Sequence, residues 1–408
     1  MKKGWETKKM GEVLAILRNG VNCKQDKKGL GDKISRIESI SNADFDIDKV
    51  GYTALSKSDK EKYRLNKGDI LFSHINSPIH VGKTALFNSD EEVYHGVNLL
   101  LMRPKPFLDV NYFELYLKFL SQNGYWMRLC KQSVNQASVN QQDINKVEIS
   151  FPQTLQEQRN IVLILDETFA SIAKAKSNAE QNLKNAKELF ESYKNELFLN
   201  KGKGYDTKEL REVCDKITQG PNPKYDKYGN DKFRVLKTKN LYDNNIFYDE
   251  SDRVSESVFK SCLPSELKNG DVLLAIVGQG SINKCNVFEN KTLFRFIYTR
   301  ALGLIRVKKS VLNPYYLKAY LQSRSGKNLI DSGIGGTSGQ QVVTTTFIKS
   351  LKIPFPSLKD QMIIVQKLDA LSSETKKLGT IYQQKLNDLE ELKKSILQKA
   401  FSGELKTT

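Results

Sequence analysis

The sequence predicts an α+β protein: two similar modules joined by two long antiparallel coiled-coil helices, related by a pseudo-twofold axis. Three observations lead there. The chain repeats itself with a period near 200 residues, a seven-residue apolar pattern closes each copy, and short apolar runs separated by turn residues fill the rest.

The repeat is visible at once. Residues 4–20 realign on 204–220, keeping Gly4/Gly204, Thr7/Thr207, Lys8/Lys208, Glu12/Glu212, Val13/Val213 and Gly20/Gly220, with Trp5 answered by Tyr205. The correspondence continues through residues 65–73 against 267–275, 81–87 against 282–288, and 161–167 against 363–370. A period this long excludes a solenoid, whose repeats run about 20–50 residues. It points to two domain-sized modules, 1–152 and 203–356, each followed by a helical segment, 153–202 and 357–403, with a short tail at 404–408.

Within each module the apolar residues come in short runs bounded by Gly, Asn and Pro. Residues 69–73, 98–103, 271–277 and 301–307 read as strands, and Tyr112–Leu120 and Tyr315–Leu321 as helical pieces. A mixed or antiparallel sheet with helices is the expected architecture.

The long helices announce their own starts. Thr154 and Glu157 form a T-x-x-E capping box after Pro152, and Ser357 and Asp360 form S-x-x-D after Pro356. From there Leu165, Ile172, Ala179, Ala186 and Tyr193 step by seven, with Phe169, Leu183, Phe190 and Leu197 between them. The matching column is Leu368, Thr375, Tyr382, Leu389 and Ile396, supported by Leu371, Leu378 and Leu392. This 4-3 spacing is a coiled-coil seam. Gly202 and Gly403 stand where left-handed caps are expected. Each helix would run about 40 residues, roughly 60 Å. A helix so long with so narrow an apolar stripe needs a partner, and its own duplicate is the simplest one. A fold-back of each helix on its own module is the alternative that periodicity leaves open.

Charge selects the class of partner. The chain holds 64 Lys+Arg against 47 Asp+Glu, a net +17. Residues 158–201 hold 7 basic and 6 acidic groups and residues 361–401 hold 7 and 5, so nearly all the excess lies on the modules. Basic modules suit a polyanion such as nucleic acid, bound in a salt-sensitive way. Polar loops supply groups able to read base edges: Asn22, Lys24, Gln25, Ser73, His74, Asn76, Lys83, Gln132, Asn135 and Gln136 in the first module, and Asn222, Lys224, Gln279, Asn283, Lys284, Thr337, Gln340 and Gln341 in the second. Asn and Gln bond adenine bidentately, and Lys or Arg bonds guanine. On the helices the apolar positions Phe198, Leu199, Ile363, Ile364 and Leu397 are expected to be exposed and to dock partner subunits.

Catalytic chemistry is not apparent. The three histidines, His74, His80 and His95, all lie in the first module, and no Ser/His/Asp or Cys/His set accompanies them. Gly82-Lys83-Thr84 lacks the first glycine of a P-loop, since Ser77 stands there, and the second copy reads Asn283-Lys284-Cys285. The glycine-rich stretch 331–341 lacks G-x-G-x-x-G spacing. Five unpaired cysteines suggest neither a disulfide framework nor a zinc site, so no metal and no catalytic residue is expected. The basic N-terminus has no apolar run behind it and no window approaches a membrane span, so a soluble cytoplasmic protein is expected.

These phrases together resemble the specificity subunit of a type I restriction-modification system. The resemblance rests on an opening W-x-x-x-x-L-G-E-V-like phrase at Trp5–Val13 and Tyr205–Val213, and a K-G-D-I-L phrase at Lys67–Leu71 and Asn269–Leu273. It rests further on an I-P-x-P-x-L-x-E-Q-x-x-I-V phrase at Ile149–Val162 and Ile353–Val365, and a terminal S-I-L-x-x-A-F-S-G-x-L phrase at Ser395–Leu405. Lys9, Met10 and Ser150 depart from it, as does one extra residue between Pro152 and Leu155. The resemblance implies two target recognition domains, each reading half of a bipartite double-stranded DNA sequence, held apart by spacer helices that dock two methyltransferase subunits, with restriction subunits joining them. It also implies that S-adenosylmethionine, ATP and magnesium serve those partners and that this chain holds no cofactor. A single-chain restriction-methylation enzyme and a non-catalytic RNA-binding scaffold are the competing expectations.

Overall fold

The computed structural model describes residues 4–27, 29–41, 44–77, 80–133, 136–200, 204–224, 232–336 and 341–405. It divides into two units, 1–180 with 384–408, and 181–383.

The first unit opens with β1 (Trp5–Lys9), then β2 (Leu14–Asn19), β3 (Asp69–Phe72), β4 (Thr84–Phe87), β5 (Leu100–Pro104) and β6 (Glu148–Pro152). Strands β1 and β6 pair antiparallel, so the chain entering the module is tied to the strand that leaves it. The others form a four-stranded antiparallel sheet in the order β2-β5-β3-β4. Every residue of β3 is buried. This explains why its sequence reads as a continuous apolar run instead of alternating. Ile70 and Phe72 join Leu100 and Met102 against Tyr112 and Leu117 of the helix Val110–Gln122. The intervening Leu71 and Leu101 join Phe87 and Ile40 in a second core on the opposite face. Over that face lies a small mixed sheet in which Asp32–Ile34 pairs antiparallel with Gly51–Thr53 and parallel with Val93–Tyr94.

The second unit repeats this order with β7 (Thr207–Glu209), β8 (Cys214–Gln219), β9 (Val272–Ala275), β10 (Cys285–Val287), β11 (Leu302–Val307) and β12 (Lys352–Pro354). Strands β7 and β12 pair antiparallel and the larger sheet runs β8-β11-β9-β10. Val272 and Leu274 face one core while Leu273 and Ala275 face the other. The small mixed sheet recurs as Phe233–Leu236 between Asp252–Arg253 and Arg295–Tyr298.

Two of the repeated phrases now have physical causes. In K-G-D-I-L, Gly68 and Gly270 take φ +90° and +95°, a turn that L side chains resist. The aspartates next to them are buried: Asp69 accepts both arms of the Arg103 guanidinium at 2.6 and 2.8 Å, and Asp271 those of Arg306 at 2.7 Å each. In the E-Q phrase, fully buried Gln158 accepts from the Asp109 amide (2.7 Å) and donates to the Phe107 and Pro152 carbonyls (3.1 and 2.8 Å). Gln361 does the same with Asn313, Val311 and Pro356. Asp109 and Asn313 are themselves N-caps of the module helices. One amide therefore clamps a long helix, the start of a module helix and the chain at or just after the last module strand together.

The first long helix spans Leu155–Asn200 and the second Leu358–Phe401. The amide of Glu157 donates to Thr154 Oγ1, and that of Asp360 to Ser357 Oγ, which is the N-cap half of each box; the Ser357 hydroxyl in turn donates to Asp360 Oδ2. Gly403 takes φ +77° beyond the second helix, whereas Gly202 falls outside the described residues. In the first unit Leu165 and Phe169 of the first helix share a core with Ile396 and Leu397 of the second, and Lys176 pairs with Glu390 at 2.7 Å. In the second unit Leu197 and Phe198 share a core with Ile364 and Leu368. Early residues of one helix thus meet late residues of the other, so the pair runs antiparallel. Leu165, Ile172 and Ala179 of the seam are buried, but Tyr193, Leu378 and Leu392 are exposed. Near residue 193 the first helix turns its apolar face to the module helix Pro314–Leu321, where Phe198 packs on Tyr316 and Tyr320 at 5.8 and 5.5 Å. Phe401 makes the equivalent contacts with Tyr112 and Tyr116 at 5.4 and 5.2 Å.

Candidate nucleic-acid interface

Strand direction brings the polar loops of each module to one end of its larger sheet. In the first unit that end is marked by Asn19, Phe72, Thr84 and Leu100, which are register partners across the sheet. In the second it is marked by Gln219, Ala275 and Leu302. The described loop residues leaving or entering there are 20–27, 29–31, 73–77, 80–83 and 95–99, and 220–224, 276–284 and 299–301. A hairpin joins each set: Gln136–Ser138 pairs with Ile75–Asn76, and Val342 bridges Val277.

The loops approach one another closely. A Cβ on Gly20 would stand 2.2 Å from the His95 carbonyl oxygen, and one on Gly220 2.5 Å from that of Thr299. Only glycine fits at either place, which accounts for its presence in both copies. The contact also shows that His95 corresponds to Thr299.

Among the expected base-reading groups, Asn22, Lys24, Asn222, Lys224 and Gln279 are exposed, and Gln25, Asn76, Lys83, Lys284 and Gln341 are half-buried. Several are already engaged. Lys83 donates to the Ser41 carbonyl, Asn76 donates to Ser73 Oγ, and Lys284 lies 4.9 Å above the Tyr242 ring. Asn283, in the left-handed region at φ 79°, donates to Asp331 at 2.6 Å, which ties up an amide N–H that a base would need. Gln341 offers its backbone carbonyl to the Gly278 amide. Gln132 and Gln136 lie on paired strands, while Asn135, Thr337 and Gln340 fall outside the described residues.

Two expected readers are not at the surface. Ser73 and His74 come directly after β3, where the Ser73 backbone continues the pairing with Gly82 and Lys83, and both side chains are buried. They are 1% and 6% exposed. His74 Nε2 meets the Asn19 amide at 3.2 Å, and Gln141 donates to Asn19 Oδ1 at 2.6 Å. Burial pushes the His74 pKa down to about 4 and that of His95 to about 3, so both imidazoles are neutral near pH 7. Asn19, Gln141, Gln219 and Arg300 also lie at these loop ends, joined by the Gln141–Asn19 bond and by the bond from Gln219 to the Arg300 carbonyl. Asn19 and Gln219 each precede the repeated glycine at the same offset, whereas nothing local in the sequence marks Gln141 or Arg300.

Three of the five helix positions expected at the surface are buried as well. Phe198, Ile364 and Leu397 are 4%, 5% and 2% exposed and belong to the cores, because the ends of the helices pack on the modules. Leu199 and Ile363 are exposed, at 48% and 38%. A shallow cavity of about 170 Å³ lies beside the first set of loops, lined by Ile37, Ile40, Asn76, His80 and Lys83 among others. Thr84 of the P-loop-like tripeptide is buried within β4. Among the described residues no group of His, Cys, Asp or Glu is placed to hold a metal ion, and no helix is long and apolar enough to cross a membrane. The arrangement offers exposed amides and cations on converging loops, the chemistry of groove contact.

Comparison with known proteins agrees with this geometry. The family model described as the type I restriction modification DNA specificity domain matches residues 2–184 and again 202–391. A putative type I restriction enzyme MjaX specificity subunit of Methanocaldococcus jannaschii is 29% identical over 98% of this chain and 94% of its own length. The EcoKI specificity subunit of Escherichia coli is 28% identical over 42% of this chain and 38% of its own. Among solved structures, the HsdS subunit of Thermoanaerobacter tengcongensis superposes with a TM-score of 0.62 at 18% identity, covering 99% of this chain and 98% of that one. A chain from a type I R-M system reaches 0.70 at 19% identity, covering 99% of both. At these identities the structural likenesses show the fold, whereas the two family matches cover most of the chain. The chain belongs to the type I restriction-modification DNA specificity family, as a specificity subunit with two such domains.

Proposed function

We propose that each module reads one half of a bipartite, gapped double-stranded DNA target, that the helices set the gap, and that they dock two methyltransferase subunits with which restriction subunits assemble. One observation carries the reading: the same loop-bearing sheet end is built twice, on units that share the same two helices. The charge distribution supports it, since the excess positive charge lies on the modules. In this reading the chain works in the cytoplasm, contributes recognition and no catalytic group, and needs no cofactor of its own; S-adenosylmethionine, ATP and magnesium belong to the partners. Leu199 and Ile363 remain as apolar contacts for docking.

The test is to map methylated sites in the host genome with and without this gene, then compete a gapped duplex carrying the site against random duplex and RNA. Loss of one bipartite methylation pattern on deletion, with preference for the gapped duplex, is expected. Equal binding to random duplex or to RNA would overturn the reading in favour of a nucleic-acid scaffold.

A further inference from the structure

We infer that Arg300 is a specificity-determining residue of the second module, its guanidinium reading a guanine in one half-site; this rests on the DNA reading above. Arg300 lies in the turn that enters β11, at the centre of the converging loops. Its backbone is held on both sides. The Arg300 amide donates to the Pro221 carbonyl at 2.7 Å, and its carbonyl accepts from the Gln219 side chain at 2.7 Å. The neighbours are held as well, Thr299 donating to the Leu236 carbonyl (3.1 Å) and Ala301 accepting from the Ile276 amide (3.0 Å). Thr299 is buried.

The side chain contrasts with this fixed base. Arg300 is exposed, and its guanidinium makes no hydrogen bond, ion pair or ring contact among the described residues. Arg103, Arg306 and Arg295 each grip a carboxylate with two nitrogens. Folding therefore does not explain the guanidinium of Arg300. The exposed Gln219, Asn222 and Lys224 belong to the loop whose Pro221 carbonyl meets the Arg300 amide.

The position is also specific to one module. Because Gly20 and Gly220 face the carbonyls of His95 and Thr299, the residue matching Arg300 is Gly96. A Cβ on Gly96 would stand 2.3 Å from the Ser35 carbonyl oxygen, so the first module has no room for a side chain there. A rigidly based, unpaired guanidinium projecting from the loop end matches the O6 and N7 acceptors of guanine, which its planar fork contacts bidentately. Lysine at the same place would serve a phosphate equally well but would lose the fork.

The experiment uses the full chain assembled with its methyltransferase subunits, and duplexes bearing the mapped site with one base pair changed at a time. The wild type should lose affinity on the order of 10- to 100-fold when one particular G·C pair in one half-site is changed. Arg300→Ala should bind all four base pairs at that position within about threefold, keeping discrimination elsewhere in both halves, whereas Arg300→Lys, which reaches guanine as a point charge without the fork, should keep only part of the preference. Variants that keep the wild-type preference at every position would overturn the inference while leaving the function intact. So would a uniform loss across all duplexes in Arg300→Ala that Arg300→Lys restores, since that marks a phosphate contact. A wild type indifferent to every change would remove the DNA reading itself.

Discussion

Gln158 and Gln361 show how a single side chain can turn a motif into a joint. Each spends both carbonyl and amide on backbone groups of the module, so replacement by alanine leaves one N–H and two carbonyls without their partner. Gln158→Ala or Gln361→Ala should cost about 1–3 kcal/mol. Urea unfolding read separately in each unit by hydrogen exchange should place the loss in the unit that holds the change; an equal loss in both would contradict the assignment of the clamp. The histidines act at the same scale through their charge state. His74 and His95 have folded pKa values below the unfolded value of about 6.5, so below that pH the unfolded chain binds protons that the folded one refuses. Their effect is absent above about pH 6.5, and stability falls as pH drops from there toward 4. The Arg295 pairing lowers the Glu266 pKa, so the stability it contributes fades only in more acid solution, around and below about pH 4. The second unit contains no histidine and serves as the control. Unfolding between pH 7 and 5 should therefore weaken the first unit selectively, and a flat profile there would show that the imidazoles are hydrated.

At the scale of elements, the buried aspartate of each K-G-D phrase ties two neighbouring strands through an arginine on the strand beside it. Arg306→Met leaves Asp271 buried at 1% exposure without its cation, and a loss of about 3–5 kcal/mol is expected. Asp271→Asn combined with Arg306→Met should recover part of that loss, which thermal unfolding of the two variants would measure. Elements of this kind were legible in the sequence to the extent that they recur. The caps at Thr154 and Ser357, the runs that became β3, β5, β9 and β11, and the helices near residues 112 and 315 were all readable from spacing. The packing of the long-helix ends on the modules was not. Phe198, Ile364 and Leu397 fit an exposed stripe when a helix is read alone, and only the module helices at 110–122 and 314–321 decide that they are buried. The interface was hard to read for a similar reason. Asn, Gln and Lys in a loop look alike whether they face solvent, as Lys24 does, or, like Asn283, bond the end of a helix distant in sequence.

At the scale of the whole molecule, the proposed ruler makes a demand that no single residue makes. The boundary between the two units crosses the first helix at residues 180/181 and the second at 383/384, so a matched insertion there preserves the antiparallel pairing within each unit. Four residues added after Glu180 and four after Gln383 lengthen both helices by about 6 Å, close to two base pairs at roughly 3.4 Å each. They rotate the downstream part of each helix by about 40°, since four residues slightly exceed one turn of 3.6, and most of the apolar seam survives. If the helices set the gap, such a variant should methylate sites with the same two half-sequences separated by one or two more base pairs. Proline at Ala186 acts differently: it removes an interior helix bond at a cost of about 3 kcal/mol or more and should abolish specific binding altogether. Mapping methylated sites for both variants separates the possibilities. An insertion variant that altered the half-site bases but kept the original gap would assign the spacing to the loops that touch DNA, and the two helices would then serve only to hold each unit together.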